Sequence, residues 1–143
     1  MPSKLYGNFL LKALNKEVDF DTDTIKVALL TSSYTPDQDA HDYLNDVSSY
    51  EVSGTGYTAG GNTLASKTAT YDSATNVIIL DAADTTWASS TITARYAVIY
   101  DSTGTASTSA LIGYVDFGSD QASTNGNFTI TWDATGIVRI TVA

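Results

Sequence analysis

The sequence predicts an all-β protein, an antiparallel, jelly-roll-like β-sandwich of about eight strands with one short N-terminal helix and a long irregular loop. Residues 91–101 read T-I-T-A-R-Y-A-V-I-Y-D, where alternate side chains share a face of an extended strand. Residues 111–117, L-I-G-Y-V-D-F, repeat this alternation after a small, polar connection. Val, Ile, Thr and Tyr dominate after position 26, where helix-forming Glu and Lys are scarce.

Residues 3–16 are predicted to form an amphipathic helix. Ser3 is a suitable N-cap, Lys12 and Lys16 suit the carbonyl end of the helix, and Gly7 weakens it by about 1 kcal/mol relative to Ala. Lys4, Asn8, Lys12 and Asn15 are expected on its wetter side. Either the helix closes one end of its own sandwich, or residues 1–16 are an arm that docks on a neighbouring subunit. The expected apolar face consists of Leu5, Tyr6, Phe9, Leu10, Ala13 and Leu14.

Residues 18–24 are predicted to be an acidic turn. Asp19, Asp21 and Asp23 alternate as in the first half of a calcium loop. Thr24 and Leu30 stand where an EF-hand needs Gly and Glu, so that motif is excluded. A solvated turn is expected and no metal ligand is assigned, while a weak cation site shared with another loop stays open as the alternative.

Residues 32–62 have little periodicity, which in a compact domain indicates a functional or partner-ordered loop. Residues 40–47 are expected to form one or two helical turns. Four tyrosines are spread through the loop, and tyrosine supplies much contact energy at interfaces. Together with the helix, the loop provides the candidate interface residues, which are Leu5, Tyr6, Phe9, Lys12, Tyr34, Tyr43, Tyr50 and Tyr57.

The remaining strands follow in quick succession, with the hairpin of residues 91–101 and 111–117 at the centre of a packed sheet. Tight turns are expected at residues 72–75 and 133–136, and a longer loop at residues 118–126. The other strands are predicted at residues 25–31, 63–71, 76–81, 85–88, 127–133 and 136–142. About eight strands fit two four-stranded sheets.

Size and charge limit the possible classes of protein. A chain of 143 residues with 43% hydrophobic residues is expected to form one domain over residues 1–143. A net charge of −9 argues against a nucleic-acid partner. The chain has no cysteine, so neither disulfides nor cysteine chemistry are expected. It also has no apolar run of the length of a signal peptide or a membrane span, so no membrane partner is expected.

The sequence does not predict an enzyme. His41 is the one histidine and lies between acidic residues, which suits a surface position. The sequence contains no G-x-S-x-G, H-E-x-x-H or P-loop motif. Asp101 and Asp116 lie at strand ends, where a carboxylate pair would serve glycoside hydrolysis, but they are explained more simply as acids near turns. One of them is expected to pair with Arg95. No catalytic, cofactor or metal residue is assigned.

Four stretches resemble a family of small structural proteins of tailed bacteriophages, encoded among head and tail genes. They are residues 3–27, the run Y-T-P-D-Q-D-A-H-D-Y, the run S-G-T-G-Y-T-A-G-G-N-T-L and the run I-T-A-R-Y-A-V-I-Y-D. The resemblance implies a virion component assembled in the host cytoplasm and placed on the capsid surface. Its most plausible role is a head decoration or cement protein that binds the major capsid protein lattice, as a homo-oligomer with a trimer favoured.

Two alternatives stay open. One is a tail-associated or fibre-attachment protein. The other is a carbohydrate-binding module in which Trp87, Trp132 or loop tyrosines stack on sugars, although both tryptophans are expected in the core. If residues 1–16 are a docking arm, their deletion is expected to leave a folded body that no longer decorates heads.

Overall fold

Two antiparallel sheets make up the computed structural model, which describes residues 3–143. The larger sheet has five strands in the order β1-β7-β6-β2-β3, and the smaller has three in the order β4-β5-β8. The strands are β1 (Ser3–Leu5), β2 (Ile25–Leu30), β3 (Asn62–Thr63), β4 (Thr68–Asp72), β5 (Val77–Asp81), β6 (Thr85–Asp101), β7 (Leu111–Ile130) and β8 (Val138–Thr141). The predicted all-β antiparallel sandwich is confirmed, with five and three strands in place of the expected four and four.

The predicted central hairpin is confirmed and is longer than expected. Strands β6 and β7 pair along most of their length, with Val98 opposite Tyr114 and Trp87 opposite Phe128. The sequence predicts separate strands at residues 85–88 and 127–133 and a loop at residues 118–126. These boundaries are wrong, because residues 85–88 begin β6 while β7 continues through residues 118–126 to residue 130.

A buried serine pair links β6 and β7 within this polar stretch, whose backbone pairs with β6. The Ser90 side chain is fully buried, and its Oγ lies 2.7 Å from the Ser123 Oγ and donates to the Gly126 carbonyl at 3.1 Å. The pairing register shifts on both sides of Ser90, which marks bulges in the hairpin. Side-chain hydrogen bonds across the strands therefore replace the apolar alternation that the sequence lacks there.

The N-terminal segment differs from the predicted helix of residues 3–16. Residues Ser3–Leu5 form β1 on β7, and the helix α1 spans only Phe9–Leu14. Ser3 is thus a strand residue and not an N-cap. Gly113 allows this pairing, because a Cβ there would lie 2.9 Å from the Lys4 carbonyl oxygen. Residues 1 and 2 of the predicted arm lie outside the described residues.

Most other predicted elements are found. Strands β2, β5 and β8 match residues 25–31, 76–81 and 136–142 to within two residues at each end. The strand predicted at residues 63–71 is divided into β3 and β4, which belong to different sheets. Both tight turns are present, with Asp72 Oδ1 accepting from the Ala74 amide and Asp133 Oδ1 from the Thr135 amide.

The larger sheet is covered on both faces. Ile25, Val27 and Leu29 of β2 point into the core between the sheets. Ala28 and Leu30 point the other way, into a second core formed with Tyr34 and other residues outside the sheet. Because both faces of the larger sheet are buried, its central strands are apolar on both faces.

Candidate interaction surface

Helix α1 buries one side and leaves its leucines in solvent. Phe9 and Lys12 are 3% and 6% exposed, whereas Leu10, Leu11 and Leu14 are 44%, 57% and 83% exposed. We call these three leucines the leucine face. They are three of the six large hydrophobic residues that are exposed in residues 3–143. A concentration of apolar surface on one short helix is typical of an interaction site.

The leucine face adjoins an open apolar groove of about 610 Å³. The groove lies between α1, the acidic turn of residues 18–24 and the smaller sheet. Its apolar lining includes Phe9, Leu10, Phe20, Ala69, Ile78 and Ile140. Lys16, Asp19 and Asp21 bring charges to the same groove.

The groove forms where the larger sheet covers the inner face of the smaller sheet incompletely. Alternate residues of each strand share this face. The row of Leu80 and Val138 is buried at 6% and 5%. In the next row on the same face, Tyr71 pairs with Ile78 and is 55% exposed. The outer end of the sheet is therefore less completely covered, and its partly buried Ile78 and Ile140 line the groove.

Several predicted interface residues lie inside the chain itself. Tyr6 and Tyr34 are each 1% exposed, and their hydroxyl oxygens are 2.8 Å apart. Burial raises the pKa of Tyr34 to about 12, and burial together with the Tyr34 hydrogen bond raises that of Tyr6 further. Both hydroxyls stay neutral at physiological pH and serve the second core. With Phe9 and Lys12 also buried, the predicted docking role of these four residues requires surfaces that the folded chain does not expose.

Lys12 joins α1 to the loop, which contradicts its predicted place on the wetter side. Its Nζ lies 2.9 Å from Asp42 Oδ2 and 3.6 Å from the centre of the Tyr43 ring. The Tyr43 hydroxyl donates to Glu17 at 2.8 Å. The helix is therefore anchored by a charge that faces inward, and this orientation turns the leucine face outward.

The remaining interface candidates are partly accessible. Leu5, Tyr43 and Tyr57 are half-buried and pack against the main core. The Tyr57 hydroxyl donates to Glu51, and burial together with this hydrogen bond raises the pKa of Tyr57. Tyr50 is 36% exposed and is the most accessible tyrosine of the loop. The loop is mostly irregular, as predicted, with short 3₁₀ turns at Leu44–Asp46 and Ser48–Tyr50.

The residues considered for catalysis do not meet in one cleft. Arg95 pairs with Asp116 at 2.7 Å, as expected, and its guanidinium holds the pKa of Asp116 below its usual range. Asp101 is the last residue of β6 and is buried, whereas Arg95 lies within the strand. His41 is half-buried, with Nδ1 3.0 Å from the Tyr34 hydroxyl.

Both tryptophans belong to the core, as predicted. Trp87 and Trp132 are 2% and 9% exposed, and Trp87 stacks on Tyr57 with ring centres 6.0 Å apart. Neither ring offers a flat face to a sugar, so the stacking platform proposed for these two tryptophans is not formed.

Leu11 is not among the residues predicted for the apolar face of the helix, whereas Leu10 and Leu14 are predicted to share that face with Phe9. A signal was present in the run F-L-L, because three consecutive residues of a helix cannot all lie on one buried stripe. The short helix buries the positions of Phe9 and Lys12, which leaves the leucines outside.

Three further findings bear on function. Within residues 3–143, no helix has the length and apolar character needed to cross a membrane. In the same part of the chain, no three His, Cys, Asp or Glu side chains are grouped in a way that would hold a metal ion. No protein-family model, curated protein or solved structure matches the chain.

Proposed function

We propose that this chain is a non-enzymatic structural protein of a tailed-bacteriophage virion, a head decoration protein that binds the major capsid protein lattice and stabilises the head. The observation that carries the proposal is the leucine face of α1, which is held outward by the buried Lys12. The resemblance of the sequence to small phage structural proteins supplies the setting. The chain acts on the capsid surface as a homo-oligomer, with a trimer favoured.

The leucine face and the groove suit attachment to a protein lattice. A covered leucine side chain contributes about 1–2 kcal/mol of transfer free energy. The groove beside it accepts apolar side chains of the capsid protein, and Asp19 and Asp21 offer carboxylates to basic residues at its edge. The body behind this surface is stiff because β6 and β7 pair over most of their length.

The test is binding of the purified chain to heads that lack it. Replacing Leu10, Leu11 and Leu14 together by Ser is expected to weaken binding at least about 100-fold, from roughly 1 kcal/mol for each side chain. Co-sedimentation over a concentration series measures the loss. Thermal unfolding of the triple variant confirms that the body is intact, since all three side chains are already exposed.

Tyr50→Ser is the matched control, because it removes an exposed apolar ring from the loop. It is expected to bind heads like the wild type. Wild-type binding by the triple variant would refute the leucine face as the attachment surface, and loss of binding in Tyr50→Ser would place that surface on the loop. Absence of the chain from purified particles would refute the virion role.

Deleting residues 1–16 is not a suitable test, contrary to the expectation from the sequence. The deletion removes β1 and the buried side chains of Tyr6, Phe9 and Lys12. Loss of head binding by that variant would be explained equally well by unfolding of the chain and by loss of the surface that contacts the capsid.

A tail-associated role is the second candidate, since the same leucine face suits any virion protein. The binding assay repeated with purified tails separates the two locations. Binding to tails and not to heads would favour the tail-associated or fibre-attachment role.

A further inference from the structure

A buried carboxyl group lies where the acidic turn meets the larger sheet. Asp101 ends β6, opposite Ile25 of β2, and is 3% exposed. Its backbone amide donates to the Ala110 carbonyl at 2.9 Å, whereas its Oδ2 has no hydrogen-bond partner. A buried carboxylate oxygen without a donor costs several kcal/mol, so the group needs a proton or a counter-charge.

The group facing Asp101 is a second carboxyl. Ile25 of β2 pairs with Asp101, and the Ser102 amide donates to the Thr24 carbonyl at 2.8 Å, so the neighbouring Asp23 lies beside the end of β6. Asp23 Oδ2 accepts from the Asp19 amide at 2.9 Å, so this carboxyl is part of the turn's own hydrogen bonding. Two ionised carboxylates in contact repel each other, and a single shared proton turns the repulsion into a hydrogen bond.

The positive charge of Lys67, near Asp23 and Asp101, does not take the place of the shared proton. Lys67 approaches from the connection between β3 and β4, and its Nζ donates to the backbone carbonyl of Asp23. The Asp19 backbone amide and the Lys67 charge each lower the pKa of Asp101, but less than the other causes raise it. The strand neighbours of Asp101, Ile25 and Ala110, bring no titratable group. Burial and the Asp23 carboxyl together raise the pKa of Asp101 to about 7.

The turn held by this contact also forms part of the groove. Val18 and Phe20 are each 6% exposed and pack into the main core. Val18, Asp19, Phe20 and Asp21 line the groove beside α1. A change in how the acidic turn is held against the end of β6 therefore changes the side of the groove that the turn forms.

We propose that Asp23 and Asp101 form a proton-operated latch, in which one shared proton fastens the acidic turn to the end of β6 and its loss loosens the turn and the groove wall. Asp101 binds its proton more tightly in the folded chain than in the unfolded chain, where the pKa is about 3.9. The stabilisation is complete in acid and is lost as the pH rises through about 7.

The test compares melting temperatures between pH 5 and pH 8. The wild type is expected to lose roughly 5 °C more than Asp101→Asn over this range. The Asn amide donates to Asp23 as the protonated acid does, but it cannot titrate. Asp39→Asn is the control, because it removes the same charge from an exposed site and is expected to follow the wild type.

Parallel pH profiles for the wild type and Asp101→Asn would overturn the proposal. If Asp101→Asn does not fold, the ¹³C carboxyl resonance of Asp101 in the wild-type chain decides. Titration near neutral pH supports the latch, and titration near pH 4 refutes it. The latch is measured on the isolated chain, so either result leaves the proposed attachment to capsids to be judged by its own experiment.

Discussion

The loop of residues 32–62 is irregular but contributes buried side chains, whereas helix α1 is regular but leaves its leucines exposed. The loop lacks a repeating pattern, yet Tyr34 and Val47 are 1% and 0% exposed and cover the outer face of the larger sheet. Helix α1 is regular, yet Leu14 is 83% exposed. Irregular backbone is stable here because its polar groups and tyrosine hydroxyls find partners inside the chain. The helix is the less completely covered of the two regions, so interaction is better sought there.

The largest expected effect tests whether the loop is part of the core. Tyr34→Ala is expected to lower the free energy of unfolding by about 3–4 kcal/mol, because it removes a buried ring and leaves the Tyr6 hydroxyl without its partner. Urea unfolding measures the change. Tyr50→Ala, in the same loop, is expected to cost about 1 kcal/mol or less because that ring is 36% exposed. Equal costs at the two positions would mean that the loop is not anchored through Tyr34.

An intermediate effect is expected at the contact between the two regions. Lys12→Met keeps the buried aliphatic chain but removes the ion pair with Asp42 and the cation over Tyr43. The expected loss is about 1–2 kcal/mol of unfolding free energy, since the Asp42 side chain is 36% exposed and is rehydrated by solvent.

Lys16→Met is the matched control, because Lys16 is exposed. A change within about 0.5 kcal/mol is expected for it. If Lys12→Met were equally neutral, the inward charge would not be what orients the helix.

The smallest effect on stability is expected at the leucine face. Leu14→Ser is expected to change the unfolding free energy by no more than about 0.5 kcal/mol, because the side chain is 83% exposed. Phe9→Ala, on the buried side of the same helix, is expected to cost about 3 kcal/mol or more. A large cost for Leu14→Ser in urea unfolding would show that the leucine face is already covered in solution, for example by a second copy.

Prediction from the sequence succeeded where structure is local. The alternation in residues 25–31 and 91–101 identified β2 and the centre of β6, because a side-chain period of two follows from the strand backbone alone. It failed at residues 118–126, where the extended form depends on Ser123 meeting Ser90, 33 positions earlier in the chain. It also failed at residues 3–5, which pair with β7 although their pattern continues that of a helix.

The candidate site was predicted in position but not in detail. The sequence predicts contact residues in the N-terminal segment and the loop, yet four of them, Tyr6, Phe9, Lys12 and Tyr34, are buried. Helical periodicity identifies an apolar side but does not say which residues a short helix turns inward. Asp42, which pairs with Lys12, lies 30 positions further along the chain, and no local sequence pattern predicts this pairing.

By itself the sequence determined the class of the fold, the central hairpin, the two tight turns and the burial of both tryptophans. These features depend on backbone periodicity, turn chemistry and the apolar character of single segments. Only the tertiary structure decided the division into five and three strands, the outward leucine face and the burial of Asp101 beside the acidic turn. Each of these depends on residues far apart in the chain, and only the packing of the whole chain brings them together.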